Sequence, residues 1–435
     1  MNATQSIYPA NPHFSETIGI QAAPPVNGVF QSGSFHQKAV NEFFGIDATN
    51  STAVSAAEKR LACYPTHNAL IQALGEQAIH TAMIAVDNTY SGRVKSAIEA
   101  MRGTDGSNYR IVGKIAIAVD QYLLLPPGSR EDDITQVMSQ LPALVQAEGA
   151  IEENGWEALE HHDTVASAQL VAAQAGMVAG KDGTPKLTAA IASDLAGRKA
   201  GLHVGRKLST EGNATTFWLI TDQSTVPESL AENPTHAAFT FSVPDSKGSL
   251  LEIVSRLSDA GLDLTDIDCH LASTESRRSF FVELKLGAQA HSTKFHEIMA
   301  ELKEAYDINV LGVYQDRTTP DVHTAMIRTH KTDLALVHEL WNGRSGGEIA
   351  QNSPVVYVEA KNTVGSLKGM LTAFRDNSIN IVDMSRPYAP TGNGSRGFYF
   401  VLSPGTVADE VLAQLSADGY ETQLCIHDGE NLGSA

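Results

Sequence analysis

The chain has 435 residues, 42% of them hydrophobic and 19% charged, with a formal net charge of -19. That length predicts about two to four domains, and an acidic balance with no basic run excludes a nucleic-acid or anionic-membrane surface, which needs clustered Lys and Arg. Three cysteines, Cys63, Cys269 and Cys425, lie far apart with no CxxC pair, so neither a disulfide framework nor a Cys-based zinc site is indicated and a reducing cytoplasm is the expected compartment.

Residues 1–16 are polar and contain Pro9 and Pro12; they read as a flexible tail with neither the basic start nor the apolar segment of a signal peptide. No apolar run approaches a membrane span. Alternation over Thr17–Ala23 predicts a strand, ended by Pro24-Pro25. Gly33-Ser34-Phe35-His36-Gln37 opens a helical pattern through Ala39, Val40, Phe43 and Phe44. Its first N–H groups suit a carboxylate or phosphate, and plain capping by Ser34 explains the same residues. Asn68–Gln77 reads as a helix and Ile79–Val86 as a buried strand. The exit of that strand, Asp87-Asn88-Thr89-Tyr90-Ser91-Gly92, is a polar cluster where open α/β sheets bind ligands, or a solvated loop.

Ile111–Val119 and Tyr122–Leu125 are further strands, closed by Pro126-Pro127-Gly128. Asp132–Ala147 gives a short strand, a turn at Ser139-Gln140-Leu141-Pro142 and a helix from Ala143. His161-His162-Asp163-Thr164 leads into a helix over Val165–Ala175, with Asp163 or Thr164 as its cap. Neighbouring histidines point to different faces and make a poor metal pair. Leu187–Ala200 predicts an alanine-rich helix. Gly212-Asn213-Ala214-Thr215-Thr216-Phe217 then enters the apolar run Trp218-Leu219-Ile220, which brings two hydroxyls and an amide to a strand edge. Strands alternating with helices predict an α/β domain with room for two lobes.

The last part contains an internal repeat. Strand Ala238–Val243, helix Ser249–Asp259, strands Leu262–His270 and Arg278–Leu286, helix Ser292–Tyr306 and strand Ile308–Tyr314 form one βαββαβ unit. Strand Val355–Glu359, helix Ser366–Arg375, strands Ile379–Met384 and Gly397–Leu402, helix Val407–Ala417 and strand Tyr420–Cys425 form a second. Each carries Gly-Ser-Leu at its first helix start, and the connector between them, 317–352, holds one expected helix over Asp333–Trp341.

A βαββαβ pair with Gly248-Ser249-Leu250 and Gly365-Ser366-Leu367 resembles two ACT domains, small-molecule sensors of α+β, ferredoxin-like fold. Asn380 to Pro387, ending in Ser385-Arg386-Pro387, is similar to the effector-binding strand of the ACT domain in prephenate dehydratases. The first half resembles the catalytic domain of that family, by Gly33-Ser34-Phe35, Val86-Asp87-Asn88-Thr89 with Gly92, Ile111-Val112-Gly113-Lys114-Ile115, Ser139, Asp163-Thr164 and Asn213-Ala214-Thr215-Thr216-Phe217, in the family's order.

The resemblance implies a two-lobed α/β domain of periplasmic-binding-protein-like fold over 17–225, with a second lobe at about 115–188, followed by ACT domains at 236–316 and 353–429. It implies decarboxylation and dehydration of prephenate to phenylpyruvate without metal or cofactor, in phenylalanine biosynthesis. By the match Thr215 donates to the departing hydroxyl, Phe217 walls the ring, and Gly33, Ser34, Phe35, Asn88, Thr89, Gly92, Ser139, Thr164 and Asn213 contact the substrate. Gly248, Ser249, Leu250, Gly365, Ser366, Leu367, Ser385, Arg386 and Pro387 form the effector contacts, with phenylalanine as the implied allosteric ligand. The second unit retains the recognisable effector contacts, and a homodimer or homotetramer is expected.

Departures from the family pattern are specific. Thr216 stands where the family has Arg, and a hydroxyl cannot replace a bidentate guanidinium. Asp87 is shorter than the usual Glu, Gln31-Ser32 replaces Gly-Pro, His36 replaces Ser, Gln140-Leu141 replaces His-Pro, and Asp163 replaces Ser. Lys114, in place of Glu, adds a positive charge. Two other readings therefore stay open: a prephenate decarboxylase or related cyclohexadienyl-acid lyase on the same scaffold, and a non-catalytic amino-acid sensor.

Overall fold

The computed structural model describes residues 17–22, 33–47, 50–89, 92–102, 109–209, 212–222, 233–274, 277–287, 289–328, 353–361, 363–385, 395–403, 405–427 and 430–431. The chain divides into two compact units. The first comprises 1–103, 114–225 and 317–325; the second comprises 104–113, 226–316 and 326–435.

The strands of the first unit are β1 (Ile18–Gln21), β2 (Leu61–Tyr64), β3 (Thr81–Asn88), β4 (Gly92–Arg93), β5 (Tyr109–Ala118, of which Lys114–Ala118 falls in this unit), β6 (Tyr122–Leu125), β7 (Gln136–Ser139), β8 (Glu157–Glu160), β9 (Met177–Ala179), β10 (Pro185–Ala192), β11 (His203–Lys207) and β12 (Ala214–Asp222). They form two sheets. The first runs β5-β12-β3-β1-β2, with β4 against β3, and the second runs β11-β6-β10-β7-β8, with β9 against β10. In the first sheet β1 pairs parallel with β2 and β3, while β12 pairs antiparallel with β3.

Two expectations change here. Leu187–Ala192 is the strand β10, not the start of a helix; only Asp194–Ala200 is helical, capped by Ser193, whose hydroxyl accepts from the Ala196 N–H. Ala189, Ala190, Ile191 and Ala192 are each 0% exposed, lying between antiparallel β6 and parallel β7. A strand covered on both faces needs no alternation, and its run of small apolar residues imitates a helix. In consequence the second sheet spans Tyr122–Lys207 and overruns the expected 115–188 lobe.

The start of the expected connector is part of the first unit. Arg317 N–H donates to Lys114 O at 2.8 Å, and its guanidinium donates to Phe43 O at 2.8 Å while lying 4.5 Å from the centre of the Phe43 ring. A helix follows at Pro320–Arg328; the one expected at Asp333–Trp341 lies outside the described residues.

The second unit holds the repeat. Copy one has β13 (His236–Pro244), helix Ser249–Asp259, β14 (Asp263–Thr274), β15 (Arg277–Lys285), helix Gln289–Ala305 and β16 (Asp307–Asp316). Copy two has β17 (Val355–Lys361), helix Ser366–Asp376, β18 (Ile381–Ser385), β19 (Ser395–Leu402), helix Asp409–Ala417 and β20 (Glu421–His427). The antiparallel orders β14-β15-β13-β16 and β18-β19-β17-β20 are equivalent. Apolar residues at helical spacing explain how the copies join: Leu250, Ile253, Val254 and Leu257 of the first helix are buried in one continuous core with Leu367, Met370, Leu371 and Phe374 of its counterpart. Lys368 Nζ meets Asp259 Oδ1 at 2.6 Å, and Asn380 Nδ2 donates to Asp245 Oδ1 at 3.2 Å. The copies therefore pair within one chain.

Candidate active site

The site grows from the pairing of β12 with β3, which sets Thr215 opposite Asn88 and Thr216 opposite Asp87. The register slips between Thr216 and Phe217, as it does at a bulge that re-aims side chains near a site. Gly212, at φ +83, makes the turn into β12 in a left-handed conformation that suits glycine. Thr89 holds this turn twice, donating from Oγ1 to Gly212 O at 2.8 Å and accepting from Ala214 N–H at 3.0 Å.

Asn88 is the hub. Its Nδ2 lies 2.9 Å from Asn213 Oδ1, 3.1 Å from Ala214 O and 2.9 Å from Thr215 Oγ1. An amide nitrogen is a donor only, so the Thr215 oxygen is the acceptor in that contact and keeps its own proton to give. Asn213 extends the network to the helix Leu141–Gln146, donating from Nδ2 to Gln146 Oε1 at 2.8 Å. Asn88, Thr89 and Asn213 are buried, and Thr215 is half-buried. The arrangement can hold one hydroxyl oriented as a donor at the edge of a neutral, polar cluster.

Other expected site residues take different parts. Ser34 is half-buried and caps the helix Phe35–Phe43, accepting from the Gln37 N–H at 3.2 Å. Gly33, at φ +113, accepts at its carbonyl from Ser193 Oγ at 2.7 Å. Phe35 is the half-buried first residue of that helix, and Gly92, at φ +74, opens β4 opposite Asn88. Ser139 is 0% exposed and its hydroxyl donates to Ile191 O at 2.6 Å, so it is spent inside the sheet. Asp163, not Thr164, caps the helix Thr164–Ala173, accepting from the Ala166 N–H at 2.8 Å. In the second unit Gly248 (φ +84) and Gly365 (φ +95) stand at the N-caps of the two repeat helices, neither of which has a side-chain cap. The hydroxyls of Ser249 and Ser366 donate back to Pro244 O and Lys361 O, each at 2.7 Å, so what these helix starts present is backbone N–H. Leu250 and Leu367 point into the shared core, and Ser385 ends β18. Arg386 and Pro387 lie outside the described residues.

One residue gains a place that its sequence context gave no reason to assign. His36 packs edge-on against Phe217, with centroids 5.0 Å apart, and 6.2 Å from the ring of His67. The Nε2 atoms of both histidines are buried without a hydrogen-bond partner among the described residues. Burial, with His67 adding repulsion, pushes His36 from 6.5 down to about 3; burial also lowers His67. Both rings are therefore neutral near pH 7, and the wall beside Phe217 offers imidazole nitrogens rather than charge.

The depressed His36 value makes stability depend on pH. The unfolded chain takes up a proton below 6.5 that the buried ring refuses down to about 3. The stabilisation is therefore complete above pH 6.5 and is lost as pH falls through that window. Between pH 7 and 4.5 the loss amounts to about 3 kcal/mol. Denaturant titrations at both pH values should show this difference shrinking in His36→Leu; an unchanged difference would remove His36 as its source.

Residues 31–225 match the sequence profile of the prephenate dehydratase family. The chain is similar to arogenate dehydratase 5, chloroplastic, of Arabidopsis thaliana, at 26% identity over 261 residues, which is 55% of this chain and 58% of the plant protein. It thus spans little more than half the length of that relative. It is also similar to a bifunctional N-acyl-homoserine lactone acylase/prephenate dehydratase of Komagataeibacter europaeus, at 27% identity over 208 residues, 46% of this chain and 68% of the other. Among solved structures, a prephenate dehydratase of Arthrobacter aurescens in complex with L-Phe superposes with a TM-score of 0.51 at 18% identity, over 76% of this chain and 100% of that one, which is a likeness of fold. Among the described residues no helix is long and apolar enough to cross a membrane.

Proposed function

We propose that this chain, whose residues 31–225 belong to the prephenate dehydratase family, converts prephenate to phenylpyruvate, CO2 and water. The observation that carries the reading is the contact in which Asn88 donates to Thr215 and leaves the Thr215 proton available. In the reaction the ring-to-carboxylate bond breaks to release CO2, and its electron pair enters the ring. The ring carbon-to-hydroxyl bond breaks on the opposite side of the ring. Hydrogen bonding from Thr215 Oγ1 stabilises the departing hydroxide, which takes a proton from solvent and leaves as water, while Thr215 keeps its own proton. Aromatisation supplies the driving force; Phe217 is 1% exposed and packs against His36, so it supports the strand that carries Thr215 and does not wall the ring. The repeat binds phenylalanine as a regulator. That reading is supported by the uncapped helix starts at Gly248 and Gly365 and by the L-Phe complex of a protein of the same fold.

A second substrate is favoured by one feature. Thr216 is 8% exposed where the family pattern places Arg, and the His36 beside Phe217 is neutral near pH 7. A site short of cations disfavours a dianion such as prephenate against arogenate, whose added ammonium lowers the net charge. The test is to supply each acid at neutral pH, following phenylpyruvate by its absorbance in base and phenylalanine by chromatography. Turnover of prephenate with the higher kcat/KM supports the first reading, preference for arogenate the second, and consumption of neither refutes the dehydratase assignment.

A further inference from the structure

Pairing of the two repeat copies within one chain creates two equivalent cavities whose linings differ. The first is bounded by the start of the helix Ser249–Asp259 in copy one and by Phe374, Arg375, Ile379 and Asn380 in copy two. The second is bounded by the start of the helix Ser366–Asp376 in copy two and by Ser258, Leu262 and Asp263 in copy one. Aligning the copies on their Gly-Ser-Leu helix starts places Ser258 where Arg375 stands and Asp263 where Asn380 stands. The pseudo-symmetry of the backbone is thus broken by the side chains that would meet a polar ligand.

In the first cavity those side chains form a connected cluster. Asp245 accepts from Arg278 Nη2 at 2.9 Å and from Asn380 Nδ2 at 3.2 Å, which ties the copy-one turn to copy two. Arg278 Nε is buried and has no hydrogen-bond partner among the described residues. The stem of Arg375 covers Gly248: a Cβ there would sit 3.4 Å from its Cγ and Cδ. An anion at the helix start therefore meets uncapped N–H groups beside the Arg375 stem, whose guanidinium donates to Asp376 Oδ1 at 2.9 and 2.7 Å, while an ammonium meets the Asp245 carboxylate. Phe280, Leu371 and Phe374 supply an apolar wall. Together these are the three parts needed for a zwitterion with an apolar side chain.

The second cavity keeps the uncapped helix start and an apolar wall that includes Val254, Leu264 and Phe398, but its polar side chains differ. Ser258 Oγ lies 3.2 Å from where a Gly365 Cβ would be, so a hydroxyl replaces the guanidinium stem. Lys368 is engaged by Asp259 at 2.6 Å. Asp263 puts a carboxylate where Asn380 donates, so a ligand carboxylate would face a like charge.

We infer that only the first cavity takes a ligand, so that one chain binds one molecule of an α-amino acid with an apolar side chain, at a site completed without a second chain. This rests on the reading of the repeat as an amino-acid sensor. It also revises the expectation that the second copy alone retains the contacts: copy one provides the helix start and Asp245, copy two provides Asn380 and Arg375.

Calorimetric titration of the full chain with phenylalanine should give one site per chain. Asn380→Asp and the half-exposed Arg375→Ala should each weaken binding roughly 10- to 100-fold, and Asp263→Asn should leave it unchanged. Unaltered thermal melts exclude loss of fold as the cause, and Arg375→Ala carries the test if Asn380→Asp does not fold. Two sites per chain, or equal weakening by Asp263→Asn, would overturn the inference while leaving the sensor reading intact. If phenylalanine fails and leucine or another apolar amino acid binds at one site, the inference stands and phenylalanine is not the regulator. If no amino acid binds, both fall.

Discussion

Thr215→Ala is expected to lower kcat for phenylpyruvate formation by roughly 10²- to 10⁴-fold with little change in KM. The Thr215 oxygen accepts from Asn88 at 2.9 Å, and Asn88 is itself fixed through Asn213 at 2.9 Å, so the direction of the hydroxyl proton is set before substrate arrives. A donor oriented in advance acts on charge that develops as the ring hydroxyl leaves and does little for the bound ground state. That is why the loss belongs in kcat. Thr215→Ser keeps the hydroxyl and should retain activity to within about tenfold, since only the methyl that restricts its rotamer is lost. Steady-state kinetics on prephenate decide the matter: a fall in kcat smaller than tenfold in Thr215→Ala would mean that another group serves the departing hydroxyl.

The legible parts of this chain are those in which local pattern and tertiary setting agree. Both repeat copies could be traced because half-covered strands alternate and the helices expose one apolar stripe, and the pattern recurs. The second sheet is hidden from the sequence at β10, where complete burial of Ala189–Ala192 removes the alternation that identifies a strand. The site was legible through its resemblance to a family but not through chemistry. Asn88 and Thr215 meet only because β12 returns to pair with β3, and no local signal announces that pairing. Hydroxyls were the least readable class. Ser34 and Ser249 have the right type and order, yet each takes a nearby backbone partner, as short polar side chains readily do, and Ser139 donates across the sheet to Ile191 O. His36 shows the converse: only the fold places its ring on Phe217.

Gly33→Ala is expected to cost about 3–5 kcal/mol of stability, combining left-handed strain with forced separation of packed backbone. A Cβ at Gly33 would lie 2.7 Å from the Ala196 N and Cα and 2.8 Å from its Cβ, and a helix start cannot move aside as the end of a flexible side chain can. The consequences would spread, because Gly33 O accepts from Ser193 Oγ and Gly33 N–H donates to Gln37 Oε1 at 2.6 Å. Gln37 in turn donates to Glu58, which also pairs with Lys199 at 3.2 Å. Displacing Gly33 thus loosens both the helix carrying His36 and the helix that follows β10. Gly201→Ala isolates the strain, since Gly201 has φ +76 and nothing within 4 Å of an added Cβ; it should cost only about 1–2 kcal/mol. Denaturant unfolding of the two variants separates the effects. Equal losses would show that the close approach of Gly33 to Ala196 does not limit the fold, whereas a larger loss at Gly33, accompanied by reduced kcat in protein that remains folded, would tie the meeting of the two sheets to the activity of Thr215.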